Sequence, residues 1–330
     1  NQRPAAASAG SALIKRILLI RNDRMGDLLM SMPAVRQIRA AFPKANVTLL
    51  IHQDLEPLLE GHPDADRILP WDPAQGQGWA AMLRWGRALR RERFDCAVIL
   101  NPTRMFHAAC RLAGIPVRVG YRRKWGFLLT RSIPDTKQTR EGHEADYNLE
   151  LLPLIGIRPS APVLELPVRP EKEAAALRLL ESLGLRTAQQ PVAIHPWTSN
   201  TAKSWPMESF RHLIRLLKNS GVPVIVIGGE ENRTAMREWK RSLPGSVGDL
   251  VGQAPLGLLP ALLKQCRALV SNDSGPVHVA AAVGTPAVVV APGSHAAALN
   301  RWRPLGELHR ILIDPDAAQA AAAVMERAAG

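Results

Sequence analysis

Short apolar runs alternate with amphipathic stretches along most of the chain, and the pattern restarts halfway. Arg16-Ile17-Leu18-Leu19-Ile20 reads as a buried strand, with an amphipathic helix over 28–42 behind it. Residues 47–51 and 96–100 read as further buried strands, with a basic helix over 79–91 between them. In the second half, residues 191–194, 222–227, 268–271 and 287–290 repeat the strand pattern, with a helix over 207–218 and an Ala-rich last helix over 317–329. Parallel strands need crossover helices, so this alternation specifies parallel α/β architecture. A length of 330 residues suits two domains. The stretch 157–170 carries Pro159, Pro162, Pro167 and Pro170, with Pro153 just ahead, and reads as an extended linker. The expected division is therefore a tail over 1–12, an N-terminal domain over 13–165 and a C-terminal domain over 166–330. The last helix is expected to pack back across the boundary. Each half is a doubly wound sheet whose ligands gather at the carboxyl ends of strands.

Hydrophobic content of 46% with 22% charged residues excludes a disordered chain, and no apolar run approaches the ~18 residues of a membrane span. The first eleven residues are Ala/Ser-rich and lack the apolar core of a secretory signal. Three cysteines, Cys96, Cys110 and Cys266, form no CxxC pair and fit reduced thiols in a cytoplasmic protein. The net charge of +13 is concentrated: residues 84–140 hold 14 Lys/Arg against 3 Asp/Glu. Such a segment is either a solvated surface or a face that meets a polyanion.

The chemistry-bearing residues sit just after strands. Ser271-Asn272-Asp273-Ser274-Gly275-Pro276-Val277-His278 leads from a strand into a helix closed by Gly284 and Pro286. The first N–H groups of a helix lack intrahelical partners and carry the positive end of its dipole, which suits a nucleotide-sugar diphosphate. An ordinary cap by Asp273 or Ser274 explains one of these residues but not the cluster. Met25-Gly26-Asp27 opens the helix after the first strand. Asp27 is placed to take a proton from an attacking hydroxyl, or to cap the helix; Asp23 and Arg24 share its loop. Between a strand and a helix runs His195-Pro196-Trp197-Thr198-Ser199-Asn200-Thr201-Ala202-Lys203-Ser204-Trp205-Pro206, where hydroxyls and one lysine suit phosphate oxygens. Gly228-Gly229-Glu230-Glu231 ends another strand with a carboxylate fit for a ribose diol, or with an acidic first helical turn. The sequence has no P-loop, no GxSxG and no HExxH, and Asp64-Ala65-Asp66 lies in a turn-like context unsuited to a metal.

These loops resemble, in order over roughly residues 14–312, glycosyltransferase family 9, the ADP-heptose:lipopolysaccharide heptosyltransferases. The strongest parts are Arg21-Asn22-Asp23-Arg24-Met25-Gly26-Asp27, Lys203-Ser204-Trp205-Pro206 and Asn272-Asp273-Ser274-Gly275-Pro276-Val277-His278. The resemblance implies a GT-B fold, two Rossmann-like doubly wound domains facing across a central cleft. It also implies an inverting, metal-independent transfer that needs no cofactor, the ADP-sugar being a co-substrate. By position, Asp27 is the expected base, and Thr198, Ser199 and Lys203 form the expected donor phosphate loop. Glu230 or Glu231 is expected to hold the ribose and Asp273 the transferred sugar. Ser274, Gly275 and His278 complete the diphosphate site, although His278 is equally readable as a core histidine. The acceptor, a phosphorylated glycolipid of the lipopolysaccharide core, is expected to meet Arg24, Arg118, Arg122, Arg123 and Lys124. The resemblance further implies a cytoplasmic enzyme in peripheral contact with an anionic membrane surface, and no nucleic-acid partner. One departure stands out. Trp197 occupies a place where members often have glycine, which bears on the donor sugar.

Two other classes are open to the sequence. One is a basic module that binds nucleic acid or anionic lipid without catalysis; its stretch has few aromatic stacking platforms. The other is a GT-B epimerase acting on a nucleotide sugar, which releases free sugar without an acceptor.

Overall fold

The computed structural model describes residues 14–76, 78–186, 189–245 and 247–327. The chain divides into two units between Val163 and Leu164. In the first unit, strands β1 (Arg16–Arg21), β2 (Asn46–His52), β3 (Arg67–Trp71), β4 (Cys96–Ile99), β5 (Val117–Arg122) and β6 (Arg131–Pro134) form one sheet in the order β3-β2-β1-β4-β5-β6. All neighbours pair in parallel, Ile17 opposite Val47 on one side and Cys96 on the other. The helices are α1 (Met25–Leu29), α2 (Met32–Ala41), α3 (Trp79–Glu92), α4 (Arg104–Leu112) and α5 (Glu144–Leu149).

The helix expected over 28–42 is two helices, for a local reason. Pro33 has no N–H to donate and Ala34 turns its N–H to the Ser31 carbonyl, so the ladder is interrupted after Met30. The Met30 carbonyl accepts instead from Asn148 Nδ2 of α5 at 3.0 Å. Asp27 thereby gains a short helix of its own, held by a distant side chain.

The second unit repeats the plan. Strands β7 (Val192–His195), β8 (Val224–Gly228), β9 (Gly248–Val251), β10 (Ala268–Ser271), β11 (Ala287–Ala291) and β12 (Arg310–Ile313) are ordered β12-β11-β10-β7-β8-β9, again all parallel. Its helices are α6 (Pro170–Ser182), α7 (Met207–Asn219), α8 (Arg233–Lys240), α9 (Leu259–Lys264), α10 (Gly275–Ala282), α11 (Ala296–Trp302) and α12 (Ala317–Arg327). In both sheets the chain reverses direction of assembly between the first and fourth strands, and ligands of such sheets bind at the carboxyl ends there. These switch points are β1/β4 and β7/β10.

Residues 157–169 between the last helical turn of the first unit and α6 form neither helix nor strand, in keeping with their prolines. Ala317, Ala320, Ala323 and Val324 recur at helical spacing and enter the core of the second unit, where α12 packs on α7. Its apolar face is thus already used within its own unit. The expected tail over 1–12 lies outside the described residues, as does the end of the last helix beyond 327. Among the described residues, no helix is long and apolar enough to cross a membrane.

Candidate active site

At the switch point of the first unit, the motif after β1 forms part of a buried charged cluster. Arg21, the last residue of β1, is almost fully buried and reaches three carboxylates: Asp27 at 2.7 Å, Asp23 at 2.9 Å and Glu144 at 3.3 Å. The same guanidinium donates to the Leu100 carbonyl and to Asn148 Oδ1. Glu144 is buried and also accepts from Lys137 Nζ at 3.0 Å. Lys137 in turn lies over the Tyr121 ring, 4.4 Å from its centroid. Arg21 and Lys137 therefore share one site with Asp23, Asp27 and Glu144. Burial opposes the charge on Arg21, but Asp23, Asp27 and Glu144 offset it and raise its pKa. Burial pushes the Asp23 carboxyl up to about 6 despite the Arg21 charge beside it, with the Asp27 carboxylate adding to the rise.

Asp27 occupies the third position of α1, and its Oδ1 accepts from Arg21 Nη2, so it is not the helix cap; Arg24 holds that place without a side-chain bond. Its side chain is partly exposed at the carboxyl edge of the sheet. A carboxylate gripped on one oxygen and open to solvent has the form a proton acceptor needs.

The expected acceptor residues separate into two groups. Arg24, Arg122, Arg123 and Lys124 are exposed, and all lie at or just after the carboxyl ends of β1 or β5. Arg123 pairs with Asp135 at 3.4 Å, and Lys124 turns the chain with φ of 55°. Arg118 lies near the amino end of β5, and its guanidinium donates to the carbonyls of Leu128 (2.8 Å) and Ile115. It closes a loop near the amino end of its strand, away from the other four. The Asp64-Ala65-Asp66 turn is structural too: Asp66 accepts from the Val47 N–H at 2.6 Å and pairs with Arg39.

At the switch point of the second unit, Asn272 fastens the two loops together. It is fully buried, accepts from the Trp205 N–H at 2.7 Å and donates to the Pro196 carbonyl at 2.6 Å. The loop carrying Thr198, Ser199 and Lys203 is thus fixed beside the mouth of α10. Lys203 Nζ donates to Asp273 Oδ2 at 2.7 Å, and His295 Nε2 lies 2.8 Å from the same oxygen. Burial disfavours the Asp273 carboxylate, but the bonds from Lys203 and His295 outweigh it and hold its pKa below the usual value.

Neither candidate cap is used as a cap. Ser274 stands at the N-cap position of α10 without a side-chain bond to the helix. Its hydroxyl lies 2.8 Å from Ser271 Oγ and 3.2 Å from His195 Nδ1, residues that face each other across β10 and β7. Burial lowers the His195 pKa to about 4, so the ring is neutral at pH 7. Among the described residues, the N-cap of α10 makes no side-chain bond to the helix, and Ser271, Ser274 and Lys203 lie beside that terminus. Gly275 begins the helix, and His278 is buried in its first turn.

Beyond β8, the two glutamates diverge. Glu230 pairs with Arg233 at 3.2 Å, whereas a β-carbon on Gly229 would overlap the Glu231 carboxylate, which therefore lies over the strand end. Trp197 stacks edge-on against Trp239, ring centroids 6.3 Å apart, and a β-carbon on Gly228 would lie 2.9 Å from its ring. The indole thus covers the end of β8 and is part of the wall near Glu231.

Sequence reasoning quoted Arg21 in its motif without giving it a role, and passed over Lys137, Glu144 and His295. His295 had a signal, because it follows Pro292-Gly293 at the end of a strand, as the other site loops do. Glu144 had none, being 123 residues from Arg21.

The family model for glycosyltransferase family 9 (heptosyltransferase) matches residues 82–327. Lipopolysaccharide heptosyltransferase 2 of Escherichia coli K12 is 26% identical over 285 residues, covering 83% of this chain and 82% of that protein. The solved structure of E. coli ADP-heptose lps heptosyltransferase II is similar with a TM-score of 0.81 at 22% identity, covering 95% of this chain and 98% of that one. An E. coli heptosyltransferase solved with ADP is similar with a TM-score of 0.75 at 19% identity, covering 94% and 99%. These likenesses establish the expected fold class, an α/β chain of two doubly wound units.

Proposed function

Because the chain belongs to glycosyltransferase family 9 and is a glycosyltransferase, we propose that it moves a heptose from ADP-heptose to the inner core of lipopolysaccharide, with inversion and without a metal. The observation that carries the donor half is the mouth of α10. A helix terminus without a side-chain cap, flanked by Ser274 and Lys203, supplies N–H groups, dipole and charge to a diphosphate. As the diphosphate enters, Lys203 exchanges Asp273 for phosphate oxygens, and Asp273 turns to the hydroxyls of the sugar. Thr198 and Ser199 extend the phosphate loop. Glu231, lying over the end of β8, takes the ribose diol, while Glu230 stays with Arg233.

Asp27 takes the proton of the acceptor hydroxyl as that oxygen attacks the anomeric carbon. Arg21 fixes the carboxylate through its bond to Oδ1 and leaves Oδ2 to meet the proton. The C–O bond to the diphosphate breaks on the opposite face, and ADP leaves with its new charge on the α10 mouth and Lys203. Arg24, Arg122, Arg123 and Lys124 hold the phosphates and acidic sugars of the acceptor. The enzyme works in the cytoplasm, in peripheral contact with the anionic membrane that carries its glycolipid.

The test is ADP release from ADP-heptose in the presence and absence of a heptose-deficient lipopolysaccharide acceptor. Release that depends on the acceptor, with one heptose added to it, is the expected result. Free sugar released without an acceptor would replace transfer by epimerase or hydrolase chemistry. Preference for UDP over ADP in a thermal-shift series would overturn the donor.

A further inference from the structure

We propose that Trp79, Trp125 and Phe127 form a membrane-docking wedge that seats the first unit on an anionic bilayer. The proposal rests on the reading of the acceptor as a membrane-borne glycolipid and names the surface that meets the membrane.

The starting point is an anomaly of α3. Its inner face buries Ala81, Met82, Gly86 and Leu89, yet Trp79 and Leu83, one turn apart, are 69% and 42% exposed. The exposure continues onto neighbouring elements. A β-carbon on Gly86 would strike Leu112, which is 41% exposed at the end of α4, so this leucine lies against the same stretch of α3. Trp125 touches the Trp79 ring at 5.9 Å between centroids and Phe127 at 6.5 Å, and Phe127 is 76% exposed. Among the described residues, the remaining exposed large apolar side chains are Val163, Met207, Leu308, Ile313 and Met325, spread over other elements. This patch is where such side chains converge, and a contiguous apolar patch on a protein surface marks an interaction site.

Charge identifies the occupant. The patch is flanked by Arg84, Arg87, Arg90 and Arg91 on α3 and Arg104 and Arg111 on α4, all exposed. They belong to the segment 84–140, which carries 14 Lys/Arg against 3 Asp/Glu. Aromatic rings prefer the headgroup level of a bilayer, and each basic residue near an anionic leaflet raises partitioning about fivefold. A nucleic acid would instead want separated, open ring faces for base stacking. Here the rings are tilted 45° and 43° against one another as one wedge.

The experiment is co-sedimentation of the full chain with vesicles of phosphatidylcholine, and of phosphatidylcholine mixed with phosphatidylglycerol. Binding to the anionic vesicles alone is expected, weakening as salt is raised. Trp79→Ser combined with Phe127→Ser, at positions exposed enough to spare the fold, should lower it about tenfold or more. Arg87→Gln with Arg91→Gln should lower it about twenty-five-fold. Equal binding to both vesicle types, wild-type binding by the aromatic double variant, or displacement of the protein from vesicles by a short DNA duplex would each overturn the proposal. Transfer to a detergent-dispersed acceptor is measured in parallel and is expected to survive the aromatic substitutions. Lost vesicle binding with retained transfer in that variant supports the docking surface. Wild-type vesicle binding without any transfer would sink the enzymatic reading and leave the docking surface standing.

Discussion

Arg21→Lys keeps the charge beneath Asp27 but removes the geometry, and its consequences follow from the contacts of one guanidinium. Arg21 meets Asp23 through Nε, Asp27 through Nη2 and Glu144 through both terminal nitrogens, and it also donates to Leu100 and Asn148. A lysine ammonium has three donors at a single point and cannot span three carboxylates. Breaking a buried ion pair costs about 3–5 kcal/mol; with the positive charge retained, the lower end applies, about 3 kcal/mol. For a unit of this size, 1 kcal/mol moves the melting temperature by about 2–4 °C, so the first unit should melt about 6–12 °C lower. Asp27 loses the bond that fixes its Oδ1, and displacement of a reacting group by about 1 Å costs about a hundredfold in rate. The assay is steady-state transfer with calorimetry on the same preparation. kcat should fall about a hundredfold while ADP binding, proposed above for the other unit, is unchanged. A variant that melts lower yet keeps kcat within about threefold of wild type would show that Arg21 only supports the fold and does not position Asp27.

Three further outcomes follow from the same geometry. Asp273→Asn removes the carboxylate that holds Lys203 and His295, so calorimetric ADP binding should be as tight as wild type or tighter, while kcat/KM for the ADP-sugar falls at least tenfold. Asp23, with its folded pKa raised to about 6 from the ordinary 3.8, holds its proton more tightly in the folded state. Its effect is destabilising as pH rises from about 4 through 6 and constant above, so the melting temperature of Asp23→Asn minus that of wild type should climb across that window. His107 is fully buried, and burial followed by the Lys124 charge lowers its pKa to about 4. The unfolded chain binds that proton first, so stability is lost as pH falls from 6.5 to about 4, and His107→Leu should remove this part of the acid sensitivity.

The sequence disclosed the interior of the sheets better than their edges. Strands β1, β2, β4, β7, β8, β10 and β11 are apolar runs buried by helices and were legible as such. The outer strands β3, β6, β9 and β12 were not. Pro70 and Pro134 are tolerated because an edge strand has a free side, and β12 is a four-residue strand with both ends exposed, which weakens its apolar signal. β5 was hidden for another reason, since Arg118 and Arg122 made it read as part of a basic surface. The site shows the same division. Residues next to strand ends, such as Asp27, Lys203 and Asp273, announced themselves through local chemistry. Their partners did not: the Arg21–Glu144 contact joins the first strand to α5, and no local pattern records that meeting. Arg118 shows the limit of charge counting, which cannot tell a guanidinium bound to backbone carbonyls from one that faces solvent.

The central claim is that Asp27 deprotonates the acceptor during transfer from an ADP-sugar, and single-turnover transfer by Asp27→Asn tests it most directly. The asparagine preserves volume and can still meet Arg21, while its amide cannot accept the proton. General-base catalysis contributes about 10²–10⁴-fold, so the transfer rate should fall by about a thousand. ADP affinity in the same preparation should equal wild type. A transfer rate within tenfold of wild type, with ADP bound normally, would contradict the account and require another base.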